Sequence, residues 1–136
     1  MIDRFEELLK ELGDQYSIAL HPDKLGACKL HIDNTLHVQL ECDAHQENLL
    51  LATFICDIPP GKFRENILKD GLQANSNRAH GSVLAYSDKN NQLTLFQYLR
   101  LADLNGQKLA DSLATFVERA NLWRTGVETG QTHNLK

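Results

Sequence analysis

Between Asn48 and Pro60 the chain reads NLLLATFICDIPP, a run that is apolar on both sides if extended yet well short of the ~20 residues that cross a membrane. At a period of two, Leu50, Ala52, Phe54, Cys56 and Ile58 point one way and Leu49, Leu51 and Ile55 the other. A strand of this kind needs cover on both faces. The chain has 136 residues, which leaves few helices to lie over two faces of a sheet. A share of the cover is therefore expected from a second molecule.

This length fits one domain, expected over residues 1–128, that buries about two thirds of its extended surface. Residues 129–136 are polar and are expected to form a flexible tail. Hydrophobic residues at 42% and charged residues at 24% belong to a globular protein and argue against wholesale disorder. Fourteen Lys and Arg against eighteen Asp and Glu give a net charge of −4. Without clustered basic residues, that balance argues against nucleic-acid or anionic-membrane partners. Met1 to Gly13 carries Asp3, Arg4, Glu6, Glu7 and Lys10 among its apolar positions, unlike a signal peptide, so a cytoplasmic location is expected. Cys28, Cys42 and Cys56 are odd in number, stand in strand-like contexts and form no CxxC pair. They read as reduced, buried small hydrophobes.

Ile2, Phe5, Leu9 and Leu12, with Leu8 beside them, predict an amphipathic first helix that Gly13 can end. Residues 25–32 and 36–42 alternate, with Cys28, Leu30 and Ile32, then Leu36, Val38, Leu40 and Cys42, on one face. Joined by Asp33-Asn34-Thr35, they predict a one-sided hairpin in which Ile32 pairs with Leu36, Leu30 with Val38 and Cys28 with Leu40. The double-sided strand follows and stops at Pro59-Pro60-Gly61. Phe63, Ile67, Leu68 and Leu72 have helical spacing, weakened at Gly71. Residues 83–87 and 92–100 flank Asp88-Lys89-Asn90-Asn91 as a second hairpin. Leu109, Leu113, Phe116, Val117, Ala120 and Val127 mark a long last helix starting near Asn105-Gly106, with Trp123 at its apolar edge. The predicted class is α+β: helix-β-β-β-helix-β-β-helix with a twisted, mostly antiparallel sheet.

Catalytic signatures are weak. His31 and His37 fall opposite each other on the polar face of the first hairpin, and Glu41 adds one carboxylate nearby, but a metal needs further donors and support behind them. The pair therefore reads first as solvated, with a small metal-binding enzyme as the less favoured alternative. No GxSxG surrounds a nucleophile, and Asp57 points away from Cys56 if the segment is a strand. Neither GxGxxG nor GxxxxGK[ST] occurs. No cofactor is implied, and nothing in the residues demands an enzyme.

Five strings, in order and spacing, resemble the class I type III secretion chaperones, the CesT/SycE-like family. They are FEELLKELG (Phe5 to Gly13), LGACKLHID (Leu25 to Asp33), PPGKFRENILKDGLQAN (Pro59 to Asn75), GSVLAYSDKNNQLTLFQYL (Gly81 to Leu99) and LNGQKLADSLATFVERANLWRTGV (Leu104 to Val127). The last is most similar to members that serve a secretion gatekeeper. The resemblance implies a dimeric, ATP-independent chaperone without catalytic activity. Such a chaperone binds the N-terminal region of a secreted effector or gatekeeper and keeps it non-globular for export.

By position, the resemblance assigns Ile2, Phe5, Leu9, Leu12, Leu36, Val38 and Leu40 to cargo, and Phe63, Ile67, Leu68, Leu72, Val83 and Ala85 to a dimer interface with itself or a second chaperone subunit. On this view the stripe of the first helix is surplus apolar surface, so Leu9→Asp is expected to abolish cargo binding with the fold intact. The alternative of another class is a regulatory adaptor that sequesters a transcription factor or anti-activator on the same surface.

Overall fold

The computed structural model describes residues 3–32, 36–77 and 81–136. Its elements follow the order read from the sequence: α1 (Arg4–Tyr16), β1 (Ala27–Ile32), β2 (Leu36–Cys42), β3 (Asn48–Asp57), α2 (Lys62–Ala74), β4 (Val83–Ser87), β5 (Gln92–Arg100) and α3 (Gly106–Thr129). Short 3-10 turns add Leu101–Asp103 and Thr132–Leu135. The strands form one antiparallel sheet in the order β1-β2-β3-β5-β4, which makes β1 and β4 its two edges. The stretch expected to be one domain gathers into two compact units, Met1–Leu51 with Tyr98–Thr115 and Ala52–Gln97 with Phe116–Lys136. No linker separates them in sequence, because β3, β5 and α3 each pass from one unit into the other.

In the first unit, α1 starts where the Asp3 carboxylate accepts the N–H groups of Phe5 and Glu6. Gly13 does not end it. The helix runs a further turn to Tyr16 and stops at Ser17, whose φ of 57° is left-handed. The value of Gly13 is proximity: the N–H of Ile18 donates to its carbonyl, and a Cβ there would collide with the Ile18 carbonyl oxygen.

β1 begins two residues later than expected, because the Asp23 carboxylate takes the N–H groups of Leu25 and Ala27 and folds that stretch into a turn. The hairpin has the predicted register, Cys28 with Leu40, Leu30 with Val38 and Ile32 with Leu36. Its loop, Asp33-Asn34-Thr35, lies outside the described residues. Arg4 donates to Glu7 and Glu11 and to the Leu104 carbonyl, and the second oxygen of Glu11 accepts the N–H of Gly106 at the start of α3. This ties both ends of the unit's chain together and holds the Glu11 carboxyl below its usual range, the Arg4 hydrogen bond being the main cause and burial opposing it.

In the second unit, α2 buries Ile67, Asp70, Gly71 and Ala74. Gly71 faces the Leu84 side chain, so the residue expected only to weaken the helix lets α2 lie close to β4. β4 and β5 pair Val83 with Phe96, Leu84 with Leu95 and Ala85 with Thr94. Leu84, Leu93 and Leu95, with Thr53 and Ile55 of β3, are buried, as are Phe116, Ala120 and Trp123 of α3. Trp123, expected at the edge of the apolar stripe, is fully enclosed. Arg119 is also buried and donates to the carbonyl and hydroxyl of Ser82. Burial lowers its pKa. In the segment expected to be a flexible tail, Thr132 is buried and its hydroxyl donates to Asp70 at 2.7 Å.

Candidate interaction surfaces

The residues assigned to cargo are core. Phe5, Leu9, Leu12, Leu36, Val38 and Leu40 are each at most 4% exposed, while Ile2 lies outside the described residues. The stripe of α1 is thus buried in the folded chain, and the expected surplus is not there. What this unit leaves outside is different: Tyr16, Ile18 and Tyr98, and Leu25, 89% exposed at the tip of the Asp23 turn. Beside Ile18 runs an open groove of about 720 Å³ along the polar side of α1, lined by Glu6, Lys10, Gly13 and Asp14 and by the chain from Ser17 to Pro22.

The residues assigned to a dimer interface scatter over the second unit. Ile67 is core at 4% exposure. Leu68 is half-buried and Leu72 is 74% exposed, and at 100° per residue they share one flank of α2. Phe63, 60% exposed, lies half a helical turn around from Leu72 and close to Gly130. Val83 and Ala85 lie on the sheet face opposite Leu84, turned away from α2.

That second sheet face is the open one. On β3 the alternation foreseen in the sequence leaves Leu49, Leu51, Thr53 and Ile55 buried, whereas Leu50, Ala52 and Cys56 are half-buried and Phe54 is 52% exposed. Ile58, counted with that set, lies past the strand and is buried. Within the second unit, Ala52 and Phe54, Thr94 and Phe96, and Val83 and Ala85 therefore form a face of half-buried and exposed side chains. Covering a few hundred Å² of such a face is worth several kcal/mol at about 25 cal/mol per Å².

The model of the Tir chaperone protein (CesT) family matches residues 7–124. The chain belongs to this family. It is similar in structure to a chain of the HopA1–SchA chaperone–effector complex, with 25% identity over 92% of this chain and 99% of that one and a TM-score of 0.74. It also resembles a chain of the ExsC–ExsE complex, with 22% identity, 90% and 92% coverage and a TM-score of 0.79. A third likeness is to the Yersinia pestis type III secretion chaperone SycH in complex with a fragment of YscM2, with 22% identity, 85% and 96% coverage and a TM-score of 0.67. No curated protein sequence matches the chain.

In this CesT-family chain the two hairpin histidines do meet, His31 opposite His37 with ring centroids 4.2 Å apart. Glu41 is engaged instead by Gln39, and among the described residues no group of three or more His, Cys, Asp or Glu is placed to hold a metal. The cysteines are unpaired: Cys28 is buried, Cys42 and Cys56 are half-buried, and burial raises all three thiols, that of Cys56 to about 11. Among the described residues no helix is long and apolar enough to cross a membrane. Sequence reasoning missed Phe54 and Leu25 as exposed positions. A Phe on the weaker side of a two-sided strand, and a Leu between Lys24 and Gly26 in a turn, were the signals available.

Proposed function

We propose that this type III secretion chaperone is a cytoplasmic dimer, with itself or with a second chaperone subunit. It holds the N-terminal segment of a secreted effector or gatekeeper non-globular and ready for export without ATP. The observation that carries the reading is the family match over residues 7–124 together with a fold shared along nearly the full length of both chains with a member of a chaperone–effector complex. The apolar surface supports it. Phe54 and Val83 on the open sheet face and Leu72 on α2 offer large side chains to another polypeptide. Holding an unfolded segment also asks for no chemistry, only exposed apolar area and backbone partners, so no catalytic residue is needed.

Co-expression with neighbouring reading frames, followed by affinity purification and mass spectrometry, tests the cargo. Recovery of one secreted polypeptide in stoichiometric amount, released by deletion of its N-terminal segment, is the expected result. Recovery of a transcription regulator instead would favour the adaptor reading. Light scattering on the purified chain tests assembly, and a particle of 15.4 kDa at micromolar concentration, alone and beside candidate partner subunits, would overturn the dimer.

A further inference from the structure

α2 is held in place by little of its own. Four of its 13 residues are buried, Ile67, Asp70, Gly71 and Ala74, and Ile67 is the one large apolar side chain among them. Gly61, which precedes the first turn, offers no side chain to the free N–H groups there. At about 100° per residue, Asp70 and Gly71 stand at the two margins of the buried face, with Ala74 and Ile67 between them. The Gly71 margin is tied to β4. Gly71 faces the Leu84 side chain, and the side chain of Asn75, just past the helix, accepts the N–H of Leu84 and donates to its C=O, both at 2.8 Å.

The Asp70 margin is tied to the residues that follow α3. Gly130 takes a left-handed φ of 69°, and the N–H groups of Gly130 and Gln131 turn back to the carbonyls of Val127 and Gly126, which closes α3 and sends the chain toward α2. Gly130 lies beside Phe63, the Thr132 hydroxyl donates to one oxygen of Asp70 at 2.7 Å, and the Lys136 ammonium stands 3.9 Å from the other. Leu135 occupies the space over Gly126 that a Cβ would fill. Asp70 and Thr132 are 7% and 4% exposed, so the joint is dry while closed. Lifting these residues lets water reach the carboxylate and replace the lost hydroxyl, so opening costs far less than unfolding.

We infer that residues 130–136 are a releasable strap that clamps α2, with Asp70 and Thr132 as its lock, and that assembly through α2 requires the strap to be closed. Both are positioning residues. They act on the exposed surface from behind, since Leu68 and Leu72 project from the side of α2 opposite Asp70. The assembly half rests on the dimer reading proposed above, whereas the clamp does not. A segment whose polar composition reads as a free tail thus sets where the apolar flank of α2 stands.

Native-state amide exchange followed by NMR tests the clamp, at a concentration where light scattering fixes the assembly state. In the wild-type chain the amides of Gln131 and of Ile67 to Ala74 exchange through one shared opening, at least about tenfold faster than those of Leu93 and Leu95 in β5. Thr132→Val removes the hydroxyl and is expected to speed Gln131 and α2 together by about tenfold or more. Thr132→Ser keeps the hydroxyl and should speed them less. α2 exchanging no faster than β5 in the wild type, Thr132→Val freeing Gln131 without α2, or Thr132→Ser exchanging as fast as Thr132→Val overturns the clamp. For assembly, sedimentation equilibrium should show the dimer dissociation constant of Thr132→Val raised at least about tenfold with the circular dichroism spectrum unchanged. A constant equal to that of the wild type overturns the assembly half. If the wild-type chain forms no dimer, the dimer reading and the assembly half fall together, while exchange still decides the clamp.

Discussion

Leu9 and Leu72 are both leucines on amphipathic helices, and the structure gives them opposite fates. Leu9 is fully enclosed and Leu72 is 74% exposed. Truncating a closed leucine removes its transfer free energy and leaves a cavity, so Leu9→Ala should cost about 2–5 kcal/mol. For a chain of 136 residues the unfolding entropy converts each kcal/mol into about 3.5 °C, so the melting temperature should fall by roughly 7–18 °C. Leu9→Asp adds a buried carboxylate and should exhaust a stability of about 5–15 kcal/mol, leaving the chain unfolded at 25 °C. That reverses the expectation, drawn from the helix stripe alone, that it spares the fold. Leu72→Asp buries nothing and should stay within about 0.5 kcal/mol of the parent, roughly 2 °C. Urea titration by circular dichroism, at a concentration where assembly state is fixed by light scattering, measures all three. A folded Leu9→Asp, or a Leu9→Ala midpoint equal to that of Leu72→Asp, would refute the assignment of this stripe to the core.

Three further outcomes are expected. Gly106→Ala places a Cβ 2.7 Å from the Glu11 carbonyl oxygen and 2.8 Å from its carbon, so α1 and the start of α3 must separate, and urea titration should show a loss of about 1–3 kcal/mol. Glu11→Gln should destabilise at neutral pH by no more than about 1 kcal/mol, given its partly exposed pairing with Arg4. The Arg4 hydrogen bond holds the folded carboxyl below the usual glutamate range, so this contribution is present at and above that usual range and is lost as pH falls through the lowered value. Parent and variant should therefore converge in acid, and a constant difference between pH 7 and pH 3 would exclude the linkage. Cys56, its thiol pushed up to about 11 chiefly by burial, with Glu128 adding and Arg124 opposing, is about one part in a thousand thiolate at pH 8. Iodoacetamide labelling read by peptide mass spectrometry should be at least tenfold slower there than at an unhindered thiol, and an equal rate would show the sulfur is not shielded.

Much of the fold was written in short-range patterns. Alternation alone set the pairing of Leu30 with Val38 and put His31 across from His37, because a one-residue slip would turn every apolar side chain of the hairpin outward. Periodicity likewise marked the three helices, and the two-sidedness of residues 48–58 signalled a strand with one face left over. Periodicity says which residues share a side, however, and not what lands on it. The stripe of Phe5, Leu9 and Leu12 reads the same whether it is open or enclosed. Long-range packing enclosed it, left Phe54 outside, and carried Asn75 onto the backbone of Leu84. Those outcomes depend on partners far along the chain, and only the folded arrangement of the sheet and its helices decides them.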